Sequence, residues 1–124
     1  MQVKHLLLVE DDTFFCLMIA EALTDEGFTV IEAENGDVAV EMLEHLDRLD
    51  ILVTDIQMPG RLDGNSVATE AKRLHSHLPV LYMSGFPESL TNIIGPTDAF
   101  VGKPFKSRLM MTEIARLLAV PIPL

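Results

Sequence analysis

The chain has 124 residues, 48% of them apolar, and 9 Lys plus Arg against 19 Asp plus Glu give it a formal charge of −10. That is the size and composition of one globular domain with a buried core; it excludes intrinsic disorder and leaves no room for a second domain. The acidity argues against direct binding to a nucleic-acid backbone, and the longest apolar run, the seven residues Phe14 to Ala20, is far short of the roughly 18 that cross a bilayer.

The N-terminus lacks a basic stretch followed by an apolar one, so the expectation is a soluble, cytoplasmic chain with no membrane insertion, and residues 1–124 form one domain. The single cysteine, Cys16, lies inside an apolar run and reads as a small buried hydrophobe.

Short apolar runs alternate with helical patterns, as in a parallel sheet joined by crossover helices. Lys4 to Val9 reads as the first strand, followed by a helix with Phe15, Met18, Ile19, Ala22 and Leu23 on one stripe and Gly27 at its end. Thr29 to Ala33 is the second strand, and Asn35-Gly36 opens a helix with Ala39, Met42, Leu43 and Leu46 inward. Ile51 to Thr54 is the third strand; a Pro- and Gly-rich loop follows, then a third helix marked by Val67, Ala71 and Leu74. Pro79 to Met83 is the fourth strand, Glu88 to Ile94 a brief fourth helix closed by Gly95-Pro96, and Ala99 to Gly102 the fifth strand. Met110, Ile114, Leu117 and Leu118 give the last helix its buried face, and 119–124 read as a frayed tail.

In such a sheet, loops leaving the carboxyl ends of the strands share one edge, where ligands bind. The first strand ends in Glu10-Asp11-Asp12, the third in Asp55, the fourth in Ser84-Gly85 and the fifth in Lys103-Pro104. Carboxylates gathered there repel one another, and a hard divalent cation, Mg²⁺ by preference, relieves the conflict. Asp55 is placed to act as a nucleophile in phosphoryl transfer, with the Lys103 ammonium and the Ser84 hydroxyl for the phosphoryl oxygens. Taken singly, each has a plainer reading: the acids as a helix cap, Asp55 as a turn former, Ser84 as a loop residue and Lys103 as a surface charge. Their joint arrival at strand ends favours a combined site.

The sequence resembles the receiver domain of two-component response regulators, of the single-domain, chemotaxis-regulator kind. The resemblance runs from Leu6 to about Leu118. It rests on Leu7-Leu8-Val9-Glu10-Asp11-Asp12, Val53-Thr54-Asp55-Ile56-Gln57-Met58-Pro59-Gly60, Val80-Leu81-Tyr82-Met83-Ser84-Gly85 and Phe100-Val101-Gly102-Lys103-Pro104-Phe105. It implies an α/β, flavodoxin-like, doubly wound (βα)5 sandwich whose five parallel strands run in the order 2-1-3-4-5. It also implies that Asp55 is phosphorylated by a histidine kinase or a histidine phosphotransfer protein. Glu10 and Asp11 match the metal-binding acids, Asp55 also ligates the Mg²⁺, and the Gln57 carbonyl matches the remaining protein ligand. Asp12 is a cap or an outer group. Ser84 and Phe100 match a switch pair that couples phosphorylation to a target-binding face made by the fourth helix, fifth strand and fifth helix, with a permanently buried core ring as the alternative for Phe100.

Two features depart from the family pattern. Arg61-Leu62 makes the loop after Asp55 one residue longer than the common spacing, which predicts an unusual path, and Phe86 is expected to limit the water that hydrolyses the phosphoryl group. His5, His45, His75 and His77 do not form a ligand set, and the methionines read as core filler. The expected function is a phosphorylation switch without an output domain, promoting its own phosphorylation and dephosphorylation but turning over no external substrate. Met1 just before the first strand favours a free-standing chain; a receiver of a hybrid kinase, a phosphate sink and a phosphorylation-independent binding module are the alternatives. A phosphatase would want a second carboxylate where Gln57 stands, and a flavin carrier would want glycines and hydroxyls where the first strand is followed by acids.

Overall fold

The structure, a computed structural model, describes residues 3–85, 95 and 97–119. Five strands, β1 (His5–Val9), β2 (Thr29–Ala33), β3 (Ile51–Asp55), β4 (Val80–Ser84) and β5 (Ala99–Gly102), form one parallel sheet in the order β2-β1-β3-β4-β5. Between and after them lie α1 (Thr13–Asp25), α2 (Gly36–Leu43), α3 (Gly64–Leu74) and α4 (Ser107–Ala119). This is the doubly wound, flavodoxin-like arrangement. Here α4 is the last of the expected helices. The expected helix over 88–94, Phe86 and the tail beyond Ala119 lie outside the described residues.

Alternation along each strand divides the core in two. Leu6 and Leu8, Ile51 and Val53, Leu81 and Met83, and Ala99 and Val101 face α1 and α4, where Cys16, Ile19, Leu23, Met110, Ile114 and Leu117 cover them. Leu7 and Val9, Leu52, Val80 and Tyr82 face α2 and α3, under Ala39, Leu43, Val67, Ala68 and Ala71. Each of the first three helices begins on a side-chain cap: Asp12 accepts from the Phe15 N–H at 3.0 Å, Asn35 from Val38 at 2.8 Å and Asp63 from Ser66 at 2.9 Å. Gly27, at φ +101°, turns the chain out of α1 toward β2.

Some sequence expectations need correction. The buried stripe of α1 is Cys16, Ile19, Ala20 and Leu23, and Met18 is exposed. Because Phe14 to Ala20 is apolar throughout, adjacent stripes are equally apolar and contact with the sheet selects among them. Leu74 is exposed at the end of α3, and Leu46 lies past the end of α2, though it still packs against the core. Among the methionines, Met83 and Met110 are fully buried, while Met18 is not core filler.

Candidate functional site

The alternation that builds the first core layer also aims the site. Continuing from Leu8, Val53 and Val101 by two residues reaches Glu10, Asp55 and Lys103, at the carboxyl ends of β1, β3 and β5 along one edge of the sheet and on the α1/α4 side. Lys103 Nζ donates to Glu10 Oε1 at 3.0 Å, to Glu10 Oε2 at 3.2 Å and to Asp55 Oδ2 at 3.2 Å. Glu10 is 2% exposed and Asp55 7% exposed, so the ion pairs are screened far less than pairs on the surface. Asp11 is exposed beside them; Glu10, Asp11 and Asp55 present carboxylate oxygens that all lie within 4.8 Å of one another. The backbone fixes this cluster: Glu10 N–H donates to Ala33 O, Ile56 N–H to Met83 O, and Lys103 N–H to Ser84 O at 2.7 Å.

The charges are unevenly matched. Burial pushes the Glu10 carboxyl up to about 7; the hydrogen bond from Lys103 opposes this and the Asp55 charge adds to it. Burial also works against the Lys103 ammonium, yet the hydrogen bond to Glu10 and the charges of Asp55 and Glu10 together hold it above its ordinary value. Glu10 is the more deeply buried partner and carries more of the desolvation. One ammonium thus serves two buried carboxylates, with a third beside them. An all-oxygen donor set short of positive charge fits a hard cation such as Mg²⁺.

The remaining predicted residues fall around this cluster. Ser84 is buried at the end of β4, one step past Met83, the residue paired with Asp55. Gln57 is exposed in the loop after β3. Asp12 is a helix cap and is not among the residues of the oxygen cluster. Phe100 is paired with Tyr82 on β5 and is 39% exposed, so the alternative of a buried core ring does not hold. The loop after Asp55 turns at Gly60, φ +104°, and brings Leu62 onto the first turn of α2; a Cβ on Gly36 would stand 2.5 Å from Leu62 O. Of the histidines, His5 is half-buried at the far end of β1, where its backbone N–H donates to Asp50 Oδ2 at 2.7 Å.

Phe15 is the neighbour that sequence reasoning assigned only to packing. Its ring centroid lies 4.6 Å from Lys103 Nζ, and the ring meets Phe105 edge-on at 5.7 Å. The available signal was positional: a helix beginning right after Glu10-Asp11 must set its sheet-facing first-turn residue over the strand ends.

Comparison with known proteins identifies the family and the fold. The model of the response regulator receiver domain matches residues 6–115. Sensor kinase CckA of Brucella abortus (strain 2308) is 34% identical over 116 residues, which cover 90% of this chain and 12% of that protein. Chemotaxis protein CheY of Halobacterium salinarum is 33% identical over 118 residues, covering 93% of this chain and 97% of that one. The chain spans about half the length of the transcriptional regulatory proteins it also matches. The crystal structure of a response regulator receiver protein from Sinorhizobium medicae WSM419 superposes with a TM-score of 0.88 at 30% identity, covering 94% of this chain and 95% of that one. Receiver domains are phosphoacceptor modules of two-component signalling that pair with histidine kinases or phosphotransfer proteins; they are not turnover enzymes on external substrates. No helix among the described residues is long and apolar enough to cross a membrane. With its strand order, its acidic edge and the match over residues 6–115, the chain belongs to the response regulator receiver domain family.

Proposed function

We propose that the chain is a Mg²⁺-dependent phosphorylation switch whose phosphoacceptor is Asp55. The observation that carries this reading is the single ammonium of Lys103 within hydrogen-bond distance of both Glu10 and Asp55, at an edge where Asp11 can join them around one ion. An Asp55 carboxylate oxygen attacks the phosphorus of a phosphohistidine on a kinase or phosphotransfer protein. The new O–P bond forms as the P–N bond breaks, and imidazole leaves. Lys103 offsets charge on the transferring oxygens, and the Ser84 hydroxyl donates to one of them. Glu10, Asp11, Asp55 and the Gln57 carbonyl are the ligands for Mg²⁺, which supplies further neutralisation of phosphoryl charge.

Output follows from the other side of the pleat. Ser84 and Phe100 continue the series of Val80 and Tyr82, on the face opposite Lys103, so movement of Ser84 toward a phosphoryl group leaves room beside the Phe100 ring. The reading takes this as a population shift between two ring positions, presented to a downstream protein on the face of β5, α4 and the segment before β5. The chain would then act in the cytoplasm by protein contact. A receiver carried by a hybrid kinase is the second reading, favoured by the 34% identity to sensor kinase CckA and by the likeness, at a TM-score of 0.80 and 26% identity, to the receiver domain of the hybrid histidine kinase CckA.

Incubation with acetyl phosphate, with Mg²⁺ or with EDTA, followed by intact mass after acidic isolation, tests the proposal. The native chain should gain one phosphoryl group with Mg²⁺ alone, and Asp55→Asn none. An adduct that survives in Asp55→Asn, or none on the native chain, would overturn it.

A further inference from the structure

Three groups favour positive charge around Lys103 Nζ: the carboxylates of Glu10 and Asp55, and the face of the Phe15 ring at 4.6 Å. They differ in what else claims them. Both carboxylates belong to the oxygen cluster able to hold a cation, so an ion taking Glu10 weakens the hold of that carboxylate on Lys103. A lysine ammonium on a flexible stem is then free to move away from Asp55. The ring has no such competitor. It stands in the first turn of α1 and meets Phe105 edge-on at an interplanar angle of 75°, so the segment that carries Lys103 also braces the ring.

We infer that Phe15 is a positioning residue for Lys103: its ring face keeps the ammonium beside Asp55 while a metal ion occupies Glu10. The inference rests on Asp55 as phosphoacceptor and adds a role for a residue that periodicity assigns to packing alone. An aliphatic side chain of similar size would fill the space but offer no negative face to the charge, so shape and electrostatics can be separated.

The test uses the full chain with Phe15→Leu, Phe15→Tyr and 3,4,5-trifluorophenylalanine installed at position 15. The fluorinated ring keeps the shape of phenylalanine while draining its face of negative charge, so a folding failure of Phe15→Leu would still leave a decisive variant. The first readout is the rate of phosphorylation by acetyl phosphate at saturating Mg²⁺. Phe15→Leu and the fluorinated chain should be slower by about 2- to 30-fold, with Phe15→Tyr close to the native rate. The second is the NMR shift of the Lys103 ε-methylene protons, which the ring current displaces. That displacement should survive Mg²⁺ addition in the native chain, and it should be lost in Phe15→Leu. Native-like rates in both the Leu and fluorinated variants, or loss of the displacement when Mg²⁺ is added to the native chain, would overturn the inference. If the native chain takes no phosphoryl group, the assignment of Asp55 fails, while the shift of Lys103 with Mg²⁺ still decides the role of the ring.

Discussion

Gly64, the first residue of α3, marks the tightest approach to backbone of any glycine among the described residues. A Cβ there would stand 2.2 Å from the carbonyl oxygen of Asp55 and 2.8 Å from Ile56 Cα, both backbone atoms at the end of a central strand. The shorter distance is more than about 1 Å below a comfortable separation of roughly 3.5 Å. The Gly64 N–H donates to Ile56 O at 2.8 Å, so the helix cannot withdraw without losing that bond. Gly64→Ala therefore adds overpacking strain of about 1–3 kcal/mol, against a propensity gain below about 1 kcal/mol at a helix end. The net loss of about 1–2 kcal/mol corresponds to a fall in Tm of about 4–8 °C for a domain of this size. Gly36→Ala serves as the comparison. Its Cβ would meet Leu62 O at 2.5 Å and Leu62 Cβ at 2.8 Å, but Leu62 is in a loop that can yield, so the expected fall is smaller. Thermal melts by circular dichroism measure both, and acetyl phosphate labelling of Gly64→Ala below its Tm should slow as the Asp55 backbone is displaced. A Gly64→Ala melt at or above the native one, or an equal fall for both variants, would refute the argument from close approach.

Other outcomes follow from buried charge. In the metal-free fold the raised Glu10 carboxyl contributes stability that is fully present below its ordinary value of 4.5 and is lost as pH rises through about 7. Urea midpoints in EDTA should fall across that range, Glu10→Gln should flatten the fall, and Mg²⁺ at pH 8 should reverse it; a flat native profile would contradict this. Burial, together with the hydrogen bond to Glu32, pushes the Cys16 thiol from 9.0 up to about 12. At pH 8 the native thiol should therefore react with iodoacetamide about 10³-fold more slowly than in urea, and stability should decline as pH rises above 9. Asp98, buried between Lys72 Nζ at 3.0 Å and the Val80 N–H at 3.0 Å, ties the start of β4 to α3. Asp98→Ala should cost about 3 kcal/mol in urea unfolding, and Lys72→Met less because that lysine is partly exposed.

The site was more legible in the sequence than the packing that supports it. Glu10, Asp55 and Lys103 could be placed because each ends a short apolar run, and a parallel sheet gathers such ends at one edge whatever the details of its helices. Strand bounds shifted by about a residue: β3 includes Asp55 and β4 runs to Ser84, because ladder hydrogen bonds continue past the apolar residues. The face of α1 was less legible, since seven consecutive apolar residues carry no unique stripe, and the choice of Cys16 over Met18 belongs to tertiary contact. The loop after Asp55 was visible as a Pro- and Gly-rich stretch, but its seat against Gly36 depends on a neighbour distant in sequence. The place of Phe15 over the strand ends could be read from the start of α1 right after the acids, but its contact with Lys103 joins residues far apart in the chain and depends on the fold.

The central claim is that strand ends assemble a metal-supported acceptor whose covalent chemistry takes place on one carboxylate. Borohydride reduction of the labelled protein, followed by peptide mass mapping, tests it most directly, because an acyl phosphate on aspartate is reduced to homoserine. The account predicts homoserine at position 55, formed only when Mg²⁺ was present during labelling. Reduction products at another carboxylate, or labelling that proceeds equally in EDTA, would contradict it.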